Sequence, residues 1–168
     1  MDMPLSPALT PLDAETKAIE RPADHKAELR LWLRLLTCTN MVESLIRTRL
    51  RERFDATLPR FDLLAQLDKT PDGLTLGELS RRMMVSNGNV TGLVERLAAQ
   101  GLIERLPHVT DRRTATVRLT AAGRRDFSAM AREHEAWVAE AFAGLSPGDL
   151  AALMRGLADL KQSVRDAA

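Results

Sequence analysis

The sequence predicts a mainly α-helical fold with one small β-hairpin, and three observations carry that reading. Apolar residues recur at helical spacing, first at Leu29, Trp32, Leu33 and Leu36, and near the end of the chain at Leu150, Leu153, Met154, Leu157, Leu160 and Val164. Gly101 followed by Leu102 has the form of a helix stop, with the glycine in the left-handed conformation and an apolar residue behind it. Alternation of the strand kind then follows at Val117, Arg118 and Leu119.

The elements can be taken in order. Residues 1–24 hold Pro4, Pro7, Pro11 and Pro22 without a sustained period and are expected to form an extended arm. Asp24 is placed to cap a long helix over 25–54, whose stripe continues through Val42, Leu45, Ile46 and Leu50. A helix of about thirty residues is roughly 45 Å long, suited to linking two substructures. Pro59 opens a short second helix with Phe61, Leu64 and Leu67 on its apolar side. After a turn at Pro71, Asp72 and Gly73, Thr75 and Glu78 have capping-box spacing for a third helix ending near Met83. Ser86 caps a fourth helix that runs to about Gln100. Strands are expected over 102–107 and 115–119. Thr120 caps a fifth helix carrying Phe127, Met130, His134, Trp137, Val138 and Ala141. Ser146, Pro147 and Asp149 start the last helix as a second capping box.

Composition narrows the function. The 168 residues carry a formal net charge of only +1, unevenly spread. Seven arginines (81, 82, 96, 105, 112, 113 and 118) face only Glu95, Glu104 and Asp111 in their segment, whereas residues 1–24 are acidic. A basic segment in a near-neutral chain suits contact with phosphates. No apolar run approaches the roughly 20 residues of a membrane span, and the N-terminus has no secretory-signal pattern, so a cytoplasmic location without membrane contact is expected. One cysteine, Cys38, and the scattered His25, His108 and His134 give no metal-ligand spacing. There is no phosphate-binding glycine loop, nucleophile elbow or His-Glu-x-x-His pattern, so neither catalysis nor a cofactor is expected.

Helix, turn, helix and hairpin in that order make a winged helix-turn-helix, whose second helix can enter the major groove of double-stranded DNA. The fourth helix begins with Ser86, Asn87, Gly88, Asn89, Val90 and Thr91, short hydrogen-bonding residues where base edges would be met. Val90, Leu93, Val94 and Leu97 form the opposite, core-facing stripe, and Arg96 suits a phosphate. In the hairpin, Arg113 is the candidate for the minor groove, Asp111 orients it, and Arg112 meets phosphate or solvent.

The run over 63–123 resembles the MarR family of transcriptional regulators. The matching pieces are Leu79-Ser80, Val90-Thr91, Leu93 to Leu97, Gly101 to Arg105, Asp111-Arg112-Arg113 and Val117 to Thr120, ending in Ala122-Gly123. The resemblance implies a homodimer in which residues 25–58 and 121–168 supply the dimerisation helices around a DNA-binding domain over 59–120. It also implies a pseudo-palindromic operator, with repression relieved by a small molecule. It places the base-reading segment at Ser86 to Thr91 and the wing pair at Asp111 and Arg113.

In that family effectors commonly sit between the dimerisation helices and the winged-helix lobe, which makes Trp32, Leu36, Met41, Phe61, Met130, His134 and Trp137 candidate lining residues; plain core packing is the competing reading of each. The stretch from Arg60 to Leu64, with Ser86 to Thr91, is similar to the subset governing aromatic-acid breakdown, some members of which sense acyl-CoA thioesters. Arg34 and Arg47, with Arg30, Arg49, Arg51 and Arg53, are the cations that could hold the CoA phosphates; a solvated basic face or contact with the DNA backbone is the competing reading of them. Cys38, set among Leu35, Leu36 and Met41, is expected to be an inert buried thiol rather than a redox sensor. The alternative function is a helical protein-interaction module whose winged helix no longer binds DNA.

Overall fold

In the computed structural model, residues 26–107 and 115–167 are described. Helix α1 spans Ala27–Phe54, α2 Leu58–Asp68, α3 Leu76–Met83, α4 Asn87–Ala99, α5 Ala121–Phe142 and α6 Pro147–Asp166. Strands β1 (Leu74–Thr75), β2 (Ile103–Pro107) and β3 (Ala115–Leu119) form one antiparallel sheet in the order β1–β3–β2. The described residues through His134 make one compact unit and those from Glu135 a second. The expected arm over 1–24 lies outside the described residues. Among the described residues no helix is long and apolar enough to cross a membrane.

The N-terminus of α1 differs from the expectation. Lys26, not Asp24, holds the N-cap position, and it offers no side-chain cap; the first turn has only Glu28 to favour the helix dipole. The apolar stripe is also less buried than its spacing suggests. Ile46 and Leu50 are core residues, whereas Leu29, Leu31 and Trp32 are exposed. Cys38 is exposed too, which corrects the expected buried thiol. Leu35 and Met41, three residues to either side of it, share its face of α1 but are themselves only half-buried.

The first unit packs around Leu50, Leu63, Leu64, Leu67, Leu79, Val90, Val94, Leu97, Val117 and Met130, all fully buried or nearly so. Three ion pairs brace helices that are distant in sequence: Arg60 to Asp126 at 2.9 Å, Arg124 to Asp68 at 3.2 Å and Arg53 to Glu133 at 3.6 Å. The Arg60 pair is the least exposed of these, so solvent screens it least. Thr57 caps α2 by accepting the Arg60 N–H, with Pro59 within the first turn.

The sheet contains a strand that the sequence reading lacked. In β1, Leu74 pairs with Val117 and Thr75 with Thr116; two residues are too few to display alternation. On β2 and β3, Ile103 pairs with Leu119 and Arg105 with Val117, and the side chains of Ile103, Val117 and Leu119 are buried. Glu104 and Arg118 sit opposite on the solvent face, joined at 2.7 Å.

The start of α5 is built onto the end of α4. Gly101 has φ +70, and Leu102 N–H donates to Leu97 O, as expected of a left-handed stop. Thr120 N–H donates to Leu102 O at 3.0 Å, and the Thr120 hydroxyl faces the carbonyls of Gly101 and Leu102 at 2.7 and 3.1 Å. The same hydroxyl oxygen accepts Gly123 N–H at 3.0 Å, capping α5 as predicted. A Cβ on Gly123 would lie 1.8 Å from Leu102 O, so the helix reaches the strand only because this residue has no side chain.

The second unit holds the end of α5, a turn and α6. Ser146 caps α6 by accepting Asp149 N–H at 3.1 Å, but the return half of the expected box is absent: the Asp149 carboxylate accepts the Ser146 hydroxyl instead of its backbone N–H. Leu150, Leu153, Met154, Leu157, Leu160 and Val164 of α6 are all exposed.

Gly123→Ala is expected to lower stability by about 3 kcal/mol, at the upper end for overpacking because the obstacle is backbone. The midpoint of urea unfolding measures it.

Candidate nucleic-acid interface

Helix α3 is short, and its ends are held by side chains. Thr75 N–H donates to Glu78 Oε2 at 2.8 Å, and Glu78 N–H donates to Thr75 Oγ1 at 3.3 Å, completing the predicted capping box. The backbone N–H of Thr75, then its hydroxyl, hold the Glu78 carboxyl below the usual carboxylate range. At the other end Met84 takes the left-handed conformation, φ 54, with its side chain 90% exposed. Ser80 secures this turn: its hydroxyl donates to Val85 O at 2.6 Å, and Val85 N–H donates to Ser80 O at 3.2 Å. The chain then enters α4 at Ser86, which accepts Asn89 N–H at 3.4 Å.

Helix α4 has two distinct faces. Val90, Leu93, Val94 and Leu97 are buried, as the sequence period requires. Ser86, Asn87, Gly88, Asn89 and Arg96 are exposed. A Cβ on Gly88 would meet nothing within 4 Å, so the backbone there is open to a close-approaching partner. Thr91 is half-buried, and its hydroxyl donates to Asn87 O at 2.9 Å. Its proton is therefore engaged within the helix, leaving Thr91 only lone pairs to offer a base or phosphate.

Beside the start of α4 lies an open cleft of about 520 Å³. Arg47 and Arg51 of α1, Thr57 to Pro59 at the start of α2, and Gly88, Asn89, Gly92 and Arg96 of α4 line it. The hairpin closes its described ladder at Pro107 and Ala115. Asp111, Arg112 and Arg113, the predicted wing residues, lie outside the described residues.

The candidate effector residues divide. Phe61 is buried and stacks on His134, with ring centroids 4.6 Å apart, while Phe127 meets Phe61 at 5.5 Å. Met130 is fully buried, and Leu36 and Met41 are half-buried. Trp137 is buried and belongs to the second unit, whereas Trp32 is 58% exposed. Arg34 lines a groove along α1 with Ala27, Arg30 and Leu31, and Arg47 lines the cleft beside α4. Sequence reasoning missed this convergence of Arg51, Arg47 and Arg96, because nothing local to α1 says which later helix it meets.

A polar-tipped helix set by capped turns on a small core, followed by a two-stranded hairpin, defines a winged helix-turn-helix regulator. Comparisons with known proteins agree. The MarR family model matches residues 56–115. The transcriptional activatory protein BadR of Rhodopseudomonas palustris is 34% identical over 119 residues, covering 68% of this chain and 67% of BadR. An uncharacterised HTH-type transcriptional regulator of Bacillus cereus is 37% identical over 93 residues, which is 55% of this chain and 60% of that protein. The crystal structure of Streptococcus pneumoniae FabT in complex with DNA superposes with a TM-score of 0.70 at 29% identity, covering 84% of this chain and 99% of FabT. The chain belongs to the MarR family, whose members are transcriptional regulators rather than enzymes.

Burial holds the His134 imidazole below its ordinary value of 6.5. Above 6.5 folded and unfolded chains both carry it neutral. As pH falls through 6.5 the unfolded chain takes up the proton first, so this residue costs the protein stability on acidification. His134→Gln is expected to flatten the fall in urea midpoint between about pH 7 and about pH 5, measured against wild type in the same buffers.

Proposed function

We propose that the chain is a ligand-responsive transcriptional repressor that binds a pseudo-palindromic operator as a homodimer and is released by a small aromatic effector or its CoA thioester. The observation that carries the DNA reading is α4: a polar, exposed first turn over a wholly buried stripe, beside a cleft lined by arginines. Ser86, Asn87, Gly88 and Asn89 meet bases, Thr91 contributes as an acceptor, and Arg96 takes phosphate. In the wing, Arg113 serves the neighbouring minor groove, Asp111 orients it, and Arg112 meets phosphate or solvent.

Residues 25–58 and 121–168 dimerise in this reading, and 59–120 bind DNA. Support comes from the exposed apolar residues of α6 and, separately, from Leu29, Leu31 and Trp32 on α1, which a second copy would take out of water. Two recognition helices must then stand about 34 Å apart to enter successive major grooves. An effector that prefers another spacing shifts the population away from the DNA-competent state. The sign of regulation depends on where the operator lies relative to the promoter, and the relative BadR bears the name of an activatory protein. A promoter–reporter fusion reads that sign directly.

Gel shifts on an operator selected from random duplexes test the DNA reading. Arg113→Ala is expected to weaken binding by about 1–3 kcal/mol and to relax preference at wing-contacted positions. Asn89→Ala is expected to change sequence preference more than salt dependence. Unchanged affinity and preference in both variants, or a wild-type chain without salt-sensitive duplex binding, favours the interaction-module alternative. For the effector, aromatic acids and their CoA thioesters are expected to raise the melting temperature and release the operator. Failure of every such compound to do either refutes the effector assignment alone.

A further inference from the structure

The cleft beside α4 gathers three guanidinium groups, and among the described residues no carboxylate lines it. Arg47 and Arg51 lie one turn apart on α1, and Arg96 comes from α4. Arg47 is paired with Glu43, one turn back along α1. Among the described residues, no carboxylate stands within ion-pair distance of Arg51 or Arg96. Arg96 folds back along its own helix: a Cβ on Gly92 would lie 3.7 Å from its Nη1. Its charge therefore sits nearer the start of α4 than its Cα does. The first turn of α2, through Thr57, Leu58 and Pro59, forms another wall and adds the positive end of a helix dipole. Such a concentration of positive charge is a receptor for an anion.

We propose that this cleft seats a phosphate of the DNA backbone, so that α1, through Arg51 and Arg47, belongs to the DNA-contacting surface. The proposal rests on the reading of α4 as the recognition helix. Gly88 and Asn89 line the same cleft, so an anion held there lies beside the residues that meet base edges. A helix in the major groove has a phosphodiester strand along each flank. On this flank of α4 the protein presents the C-terminal half of α1 and the first turn of α2. Planar guanidinium forks match phosphate oxygens as bidentate donors, which a lysine in the same place would not. Arg47 thereby moves from the effector candidates to the DNA-contacting residues.

Fluorescence anisotropy over a salt series tests this, using a random-sequence duplex of about 30 base pairs, roughly three helical turns, beside the selected operator. Arg51→Ala is expected to weaken both duplexes by the same factor, roughly tenfold, and to reduce the salt slope by about 1.8, which is about 0.9 for the one phosphate lost in each of the two protomers. Arg51→Lys retains the charge and most of the slope. Arg51 is exposed, so the melting temperature of each variant is expected to match wild type. If Arg51→Ala and the double variant R47A/R51A bind both duplexes with wild-type affinity and slope, the phosphate seat is overturned while Asn89→Ala still reports on α4. If the wild-type chain itself shows no salt-sensitive duplex binding, the reading of α4 falls and the seat with it. A cleft that serves a free anion instead reveals itself when Arg51→Ala binds DNA normally but loses thermal stabilisation by inorganic pyrophosphate; that result overturns the assignment to DNA.

Discussion

The carbonyl of Leu102 is the joint on which the first unit depends. It receives Thr120 N–H at 3.0 Å and faces the Thr120 hydroxyl at 3.1 Å, while the bare Cα of Gly123 lets α5 close over it. Four elements meet there: the end of α4, the start of β2, the end of β3 and the start of α5. This joint ties the end of α4 to the sheet and to α5, and adds to the buried face of α4 in fixing its orientation. Orientation is what a recognition helix must have, because hydrogen bonds to base edges tolerate little angular error.

The two faces of α4 answer to different demands. Its buried side is crowded with Val90, Val94 and Leu97, which leave little freedom for rotation about the helix axis. Its open side carries short side chains that lose little entropy when ordered against a partner. Thr91 lies between the two and spends its proton on Asn87 O, so the sequence offers more donors in this segment than the folded helix retains.

Much of this was legible in the sequence because local chemistry dictates it. Caps at Thr75, Ser86 and Thr120 and the stop at Gly101 depend on residues within a few positions, and all four take the expected form. The readings that went astray needed long-range information. A two-residue β1 exists only because β3 lies beside it. Cys38 has apolar sequence neighbours, yet it is itself exposed. Asp24 has cap chemistry, but Lys26 holds the N-cap position of the helix that begins at Ala27. The arginine cleft is legible only once α1, α2 and α4 are placed together. Periodicity on α6 reported apolar residues faithfully but could not say whether this chain alone would bury them.

Helix α1 joins these themes through its length. It is an unbroken rod of 28 residues, about 42 Å at 1.5 Å per residue. A rod converts angle into displacement: a tilt of about 5° at one end moves the other by roughly 4 Å, more than the length of a hydrogen bond. The exposed Leu29, Leu31 and Trp32 near its beginning and Arg47 and Arg51 near its end are therefore geared together. Small pivots at the apolar end are multiplied at the charged end, with no need for any bond in between to break.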